Sequence, residues 1–219
     1  MAVVRHAFTT AADGDFAIDS DPDGLAERRG AIAAAPWTWL RQVHGAEVVV
    51  VGAPGDHAGA EADAAVTGVP GAALAVQTAD CAPVLLWGDG PTGPVIGAAH
   101  AGWRGLYAGV LENTVAQMQA LGATGIAADL GPCISPAAYE FGADELTRMA
   151  LRFGPDVVGA TATGAPALDL RAAVGAILDV LGVVLAPGTP PCTACDGGYF
   201  SWRARGDTAR MASVIWIDQ

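Results

Sequence analysis

Val95-Ile96-Gly97-Ala98-Ala99-His100-Ala101-Gly102-Trp103-Arg104-Gly105 leads into Leu106, Val110, Leu111, Val115 and Met118, apolar residues recurring at helical spacing. Val95 to Ala99 reads as a strand and Leu106 to Leu121 as a helix, so His100 to Gly105 is a strand-to-helix connection. Helix N-termini attract anions, which makes this connection a candidate place for phosphate or a developing negative charge. It carries neither a dinucleotide-binding glycine fingerprint nor a P-loop, and the commonest nucleotide folds are thereby excluded.

Working outward toward the N-terminus, Gly88 to Pro94 reads as a turn, with strands at Val84 to Trp87 and Ala72 to Thr78. Trp37 to Val43 and Glu47 to Val51 flank Gly45 and read as two adjacent strands, with His44 at their turn. Before them come an apolar opening from Ala2 to Phe8, an Asp- and Gly-rich loop from Asp13 to Gly24, and a helix around Leu25 to Ala35 that Pro36 ends. Toward the C-terminus the pattern gives a strand near Ile126 to Leu130, a loop from Gly131 to Pro136, helices near Ala143 to Phe153 and Leu170 to Leu181, and a last strand from Met211 to Ile217. The elements mix without regular βαβ alternation, and no repeat or linker divides them. The expected fold is one α+β domain with mixed sheets, spanning residues 1–219.

The 219 residues are 52% hydrophobic, much of it alanine, which provides a core of small side chains. A net charge of −12 with only eleven basic residues argues against a nucleic-acid partner, because a phosphate backbone is held by clustered Lys and Arg. No apolar stretch approaches the ~20 residues that span a bilayer. The N-terminus also lacks a basic segment followed by an apolar run, so a cytoplasmic protein without a membrane partner is expected. Its four cysteines are then expected to be reduced, and metal binding or nucleophilic chemistry is the better use of a thiol. No pattern in the sequence fixes an oligomeric state.

Of four histidines and four cysteines, His44, Cys81 and His100 fall at three strand-to-loop transitions. Two imidazoles and a thiolate can hold a transition metal with one position open, which is how a catalytic zinc site is built, and one Zn2+ per chain is expected. Taken singly, each has a plainer reading, as a structural histidine or a buried inert thiol. Coupled copper centres need many histidines, often as His-x-His pairs, and copper is the less favoured metal. Asp80 and Asp63 are acids in apolar stretches, and each must find a donor, either a ligand histidine's free N–H or an arginine. Asp80, beside Cys81, is the candidate acid for orienting a ligand or handling a proton. Asp63 reads equally well as a turn or capping residue. Asp80, Cys81 and His100 are thus the candidate catalytic residues. Arg41, Arg104 and Arg203 are the candidate grips for substrate or phosphate, since arginine binds such groups with two prongs. Cys192-Thr193-Ala194-Cys195 has redox or half-zinc spacing, but no second pair completes a four-thiolate site, and two ordinary thiols are the simpler reading.

Gln42-Val43-His44-Gly45, Ala62-Asp63, Thr78-Ala79-Asp80-Cys81-Ala82-Pro83, His100 to Gly105, Gly131-Pro132-Cys133-Ile134, and Cys192-Thr193 followed by Phe200-Ser201-Trp202-Arg203 together resemble the signature blocks of one family. It is the laccase-domain, multicopper-oxidase-like family of zinc-dependent purine nucleoside phosphorylases, also called peptidoglycan editing factors. The resemblance runs across nearly the whole chain from Gln42 onward. It implies that His44, Cys81 and His100 are zinc ligands, and that the fold is an α/β sandwich of mixed sheets similar to the catalytic domain of cytotoxic necrotizing factor toxins. It also implies phosphorolysis of adenosine, inosine, guanosine and methylthioadenosine, with deamination of adenosine, so that the partners are a purine nucleoside and phosphate. The chain departs from the pattern where Phe8-Thr9-Thr10 runs into Ala11-Ala12-Asp13-Gly14-Asp15, without the family's arginine and glycine-rich segment. That loop is expected to shape the substrate pocket. Near the other end, Thr208-Ala209-Arg210 stands where Thr-Gly-Arg is usual.

Two other functions remain open at this level. A hydrolase or amidase editing peptidoglycan precursors would use Cys81 as nucleophile with His100 or His44 as base. A copper polyphenol oxidase is disfavoured by the histidine count, and a non-enzymatic binding module would leave Asp80 and the arginines unexplained.

Overall fold

The computed structural model describes residues 2–218. Its strands are β1 (Val3–Phe8), β2 (Trp37–Arg41), β3 (Val48–Val50), β4 (Ala60–Glu61), β5 (Ala64–Thr67), β6 (Ala73–Thr78), β7 (Ala82–Gly90), β8 (Gly93–Ala101), β9 (Thr124–Leu130), β10 (Val158–Ala160), β11 (Pro166–Leu168), β12 (Val184–Leu185) and β13 (Met211–Asp218). The helices are α1 (Pro22–Ile32), α2 (Trp103–Ala108), α3 (Val110–Ala120), α4 (Ala143–Phe153), α5 (Leu170–Val180) and α6 (Trp202–Arg205).

Two mixed sheets organise them, one ordered β1-β13-β6-β2-β4 and the other β12-β9-β7-β8-β5-β3, while β10 and β11 pair antiparallel on their own. Period-two alternation sorts the side chains into layers. Leu74 and Val76 of β6 meet Leu85 of β7 and Ile96 and Ala98 of β8 in a core between the sheets. Ala73 and Ala75, on the opposite face of β6, pack with Phe16, Leu25 and Trp37 beneath α1. Val84 and Leu86 of β7 and Ala99 of β8 face the largest core, which α2 to α5 close with Leu106, Leu111, Met149 and Val174. The result is a four-layer α/β/β/α sandwich of α+β type, in which α4 and α5 each bury one apolar stripe while α1 buries Leu25 alone. Small residues set the spacing. A Cβ on Gly97 of β8 would stand 3.1 Å from Met118 Sδ and 3.3 Å from Thr114 Cγ2, so α3 rests directly on the sheet.

Three expectations change. β2 and β3 are not neighbours; they belong to different sheets, and the segment between them crosses the sandwich. β7 and β8 extend well into the expected turn from Gly88 to Pro94, pairing Gly90 with Gly93 around Pro91 and Thr92. The helix expected from Leu106 to Leu121 is two helices, because Gly109 at φ 98° interrupts it between α2 and α3. Glycine occupies that left-handed conformation without the steric cost another residue would meet.

Candidate metal centre and active-site cavity

At one end of the sandwich the chain passes from the first sheet to the second three times: between β2 and β3, between β4 and β5, and between β6 and β7. These crossings carry His44, Asp63 and Cys81. His100 lies near the end of β8, opposite Pro83 of β7. It shares the inter-sheet face with Ile96 and Ala98 by alternation, so its ring points to where the sheets open.

The ligand atoms of His44, Cys81 and His100 lie within 4.8 Å of one another. Cys81 Sγ is 3.8 Å from His44 Nε2. The two rings meet edge to face, with centroids 4.8 Å apart. Tetrahedral coordination with metal–sulfur near 2.3 Å and metal–nitrogen near 2.0 Å brings such atoms to within about 3.5 Å of each other, a small contraction from this geometry. Close approach here depends on Gly102, since a Cβ would stand 2.9 Å from His44 Cδ2 and 3.1 Å from Cys81 Sγ.

Asp63 builds the frame behind the ligands. It is fully buried. Its Oδ1 lies 2.8 Å from His100 Nδ1 and accepts the His44 N–H at 2.9 Å, while Oδ2 accepts from Gly45 at 2.7 Å and Val43 at 3.2 Å. Those bonds hold His44 at φ 60°, a left-handed conformation rare outside glycine. With Nδ1 engaged, His100 presents Nε2 to the cluster. Burial alone would raise the Asp63 pKa, but the bonds from His100 and the backbone of Gly45 and Val43 outweigh it and keep the group below its ordinary value.

Burial would likewise push the Cys81 thiol up, yet the adjacent His100 and His44 bring it down to about 6. His100 answers in the opposite sense: burial would lower it, but the Cys81 charge and Asp63 raise it to about 9. Both shifts have one origin, a thiolate and an imidazolium that stabilise each other.

Asp80 has a different set of partners from the histidines. Its Oδ1 accepts the Thr193 hydroxyl at 2.6 Å and its Oδ2 the Arg203 N–H at 2.7 Å, while its carbonyl accepts from Ile134 N at 2.9 Å. These contacts hold it at φ 99°, and the bend turns the next residue, Cys81, toward the imidazoles.

In front of the cluster lies a cavity of about 480 Å³ whose wall includes Arg104, Arg203, Arg210, Trp103, Tyr139 and Trp202. Arg203 donates to the Glu140 carbonyl at 2.8 Å and lies over the Tyr139 ring at 4.7 Å. Arg104 lies over Trp103 at 4.6 Å. Burial first, and then the Cys81 charge, raise the Tyr139 phenol far above its ordinary value, so it is a hydrogen-bond donor at neutral pH. The floor beside His44 is fixed by Gln42, whose amide bonds the Gln77 backbone at 2.8 and 2.7 Å. Arg41 is exposed on β2 and is not among the residues lining this cavity. Residues 8–15 also stand outside its wall. They bear on it through Asp15, which accepts the Arg210 N–H at 2.9 Å. Gln42, Tyr139, Trp202 and Arg210 have no role assigned from sequence; Gln42, Trp202 and Arg210 sit in segments that stand out for other residues, whereas nothing local to Tyr139 marks it.

Residues 9–218 match the family model described as multi-copper polyphenol oxidoreductase laccase. A purine nucleoside phosphorylase of Streptomyces coelicolor is 40% identical over 211 residues, covering 92% of this chain and 86% of that one. The Escherichia coli purine nucleoside phosphorylase YfiH is 38% identical, covering 90% and 82%. Among solved structures, a Neisseria meningitidis protein superposes with a TM-score of 0.80 at 31% identity, covering 100% of this chain and 94% of the other.

Proposed function

We propose, on the premise that this chain belongs to the multi-copper polyphenol oxidoreductase laccase family, that it is a mononuclear zinc enzyme acting on purine nucleosides. The observation that carries this reading is the His44–Cys81–His100 cluster opening into a cavity walled by three arginines and three aromatic rings. Among the described residues this is the one set of His, Cys, Asp and Glu placed to share an ion, and His6 is engaged elsewhere, 3.1 Å from Asp129. One metal suits such a donor set, whereas coupled copper needs several.

Two imidazoles, a thiolate and an open position fit zinc, which when bound supplies a Lewis acid and a water that ionises near neutral pH. The protein's own residues do the rest. Asp63 fixes the His100 tautomer and ring plane, and Asp80 positions Cys81. Arg104, Arg203 and Arg210 balance the charge of phosphate at the cavity wall, as attack at the ribose carbon requires. Trp202, exposed at the cavity wall, offers a ring face to the purine, while Trp103 and Tyr139 lie under the guanidinium groups of Arg104 and Arg203. With phosphate the outcome is phosphorolysis of adenosine, inosine, guanosine or methylthioadenosine; with water at the amino-bearing purine carbon it is deamination of adenosine.

The test is a panel of purine nucleosides supplied to zinc-loaded enzyme with and without phosphate, with products identified. Free base and ribose 1-phosphate, or 5-methylthioribose 1-phosphate from methylthioadenosine, are expected from phosphorolysis, and inosine from adenosine when phosphate is withheld. No turnover of any member would overturn the reading.

A second reading, a Cys–His hydrolase or amidase acting on peptidoglycan precursors, is favoured by the low Cys81 and high His100 pKa values. It predicts turnover in zinc-free enzyme and a covalent adduct on Cys81.

A further inference from the structure

Cys192 and Cys195 lie outside the metal cluster, on the segment that secures Asp80. Their sulfurs are 2.7 Å apart. Cys195 N–H donates to the Cys192 carbonyl at 3.2 Å and Asp196 N–H to the same carbonyl at 3.0 Å, so the four residues form a closed turn. A turn of this kind brings its terminal Cα atoms within about 7 Å, and a disulfide requires about 4.4–6.8 Å. Cys195 is exposed and Cys192 half-buried, so both can be reached from solvent.

We propose that Cys192 and Cys195 are a dithiol oxidation site, closing to an intramolecular disulfide by exchange with a low-molecular-weight disulfide. The Cys192 thiolate attacks one sulfur of the small disulfide, breaking its S–S bond and releasing one thiol. Cys195 then attacks the Cys192 sulfur of the mixed disulfide, forming the internal bond and releasing the second thiol. The protein dithiol is oxidised by two electrons, the small disulfide is reduced by two, and the two cysteine protons leave on the released thiols. Cys192 is suited to open the reaction. Burial would raise its pKa, but hydrogen bonds from Cys195 and from Ser135, whose N–H is 3.4 Å from Cys192 Sγ, bring it below the ordinary value.

Cys133 is not the partner. It pairs with Cys192 by backbone, but it is fully buried and burial pushes its thiol up to about 11. Such a thiol is protonated and shielded, and is a poor exchange nucleophile.

The site matters because of Thr193, inside the turn, whose hydroxyl holds Asp80. Arg205 reinforces the same turn, donating to the carbonyls of Thr193 at 3.1 Å and Ala194 at 3.4 Å. Oxidation therefore staples the turn in the shape that anchors Asp80 and, through it, Cys81.

The test equilibrates the full chain with oxidised and reduced glutathione, quenches with acid, alkylates, and maps the peptides by mass. The expected product is a peptide carrying Cys192 and Cys195 that has lost two hydrogen masses, resists alkylation, and recovers both thiols with dithiothreitol. Cys195→Ser is expected to accumulate glutathione on Cys192 several-fold above wild type, since no resolving thiol remains. Backbone hydrogen exchange across residues 192–196 and 79–81 should slow several-fold in the oxidised wild type. Full alkylation of both thiols after oxidised glutathione alone, or a bond from Cys192 to Cys133 or Cys81, overturns the oxidation site; unchanged exchange in the disulfide form overturns the staple.

Discussion

Asp63 and His100 are joined twice: the carboxylate meets the imidazole Nδ1 at 2.8 Å, and the Asp63 carbonyl accepts the His100 backbone N–H at 2.7 Å. One residue thereby sets both the height of His100 on its strand and the rotation of its ring. The same carboxylate gathers the 43–45 segment, so the geometry of two imidazoles rests on a single buried acid.

Asp63→Asn tests that dependence. The amide keeps the volume but has one acceptor oxygen where four donors now converge, leaving buried N–H groups unsatisfied. A destabilisation of roughly 2–4 kcal/mol is expected. Zinc affinity should fall ~10–100-fold, the usual effect of removing a carboxylate behind a ligand histidine. Thermal unfolding and competition with a chromophoric chelator measure the two effects separately.

In zinc-free protein the Cys81 thiol should alkylate with a midpoint near pH 6, whereas an unpaired cysteine titrates near 9. The sign follows from the pair. Between about pH 6 and about pH 9 Cys81 is a thiolate beside protonated His100; below that window the thiolate is lost and above it the imidazolium. His100→Ala leaves burial less opposed and should move the midpoint upward. Added zinc should suppress alkylation throughout.

Gly102→Ala should separate site from fold. Its φ of −71° suits any residue, so the backbone gains no strain. The new Cβ, however, meets His44 and Cys81 head-on. A displacement of about 1 Å at a catalytic group costs about 10²-fold in rate, and a loss of that order is expected with a circular-dichroism spectrum like that of wild type.

Arg203→Lys should raise the KM for phosphate about 10-fold while leaving zinc content unchanged. Lysine carries the charge but lacks the planar fork that spans Tyr139 and the Glu140 carbonyl. Initial rates against phosphate concentration, with elemental analysis of the same samples, decide it. An unchanged phosphate dependence would make Arg203 structural.

Much of the architecture was legible because it depends on local pattern. β6 reads as a short apolar run, buried on both faces, and α4 follows from amphipathic spacing over Ala143–Phe153. What local pattern cannot carry is the identity of a strand's neighbour. Trp37–Arg41 and Val48–Val50 are adjacent in sequence but sit in different sheets, and only long-range pairing with β6 and β5 decides that. Gly109 escaped for a related reason, since apolar spacing continues on both sides of the break. At the site, His44, Cys81 and His100 stood out by residue type at strand ends. Asp63 was visible as an acid in need of a donor, but its sequence fitted a turn or cap equally well, because the bonds that decide its role come from residues 18 to 37 positions away.

The three crossings between the sheets have a consequence for how this protein tolerates change. Because His44 and Cys81 ride on connections anchored in both sheets while His100 belongs to one, any slip of one sheet over the other alters the triangle of ligand atoms. Leu74, Leu85 and Ile96, which fill the gap between the sheets, therefore act as shims. Exchanging one for a side chain of different length would retune a centre it never touches, and variation in this buried seam should be more constrained than in the core beneath the helices.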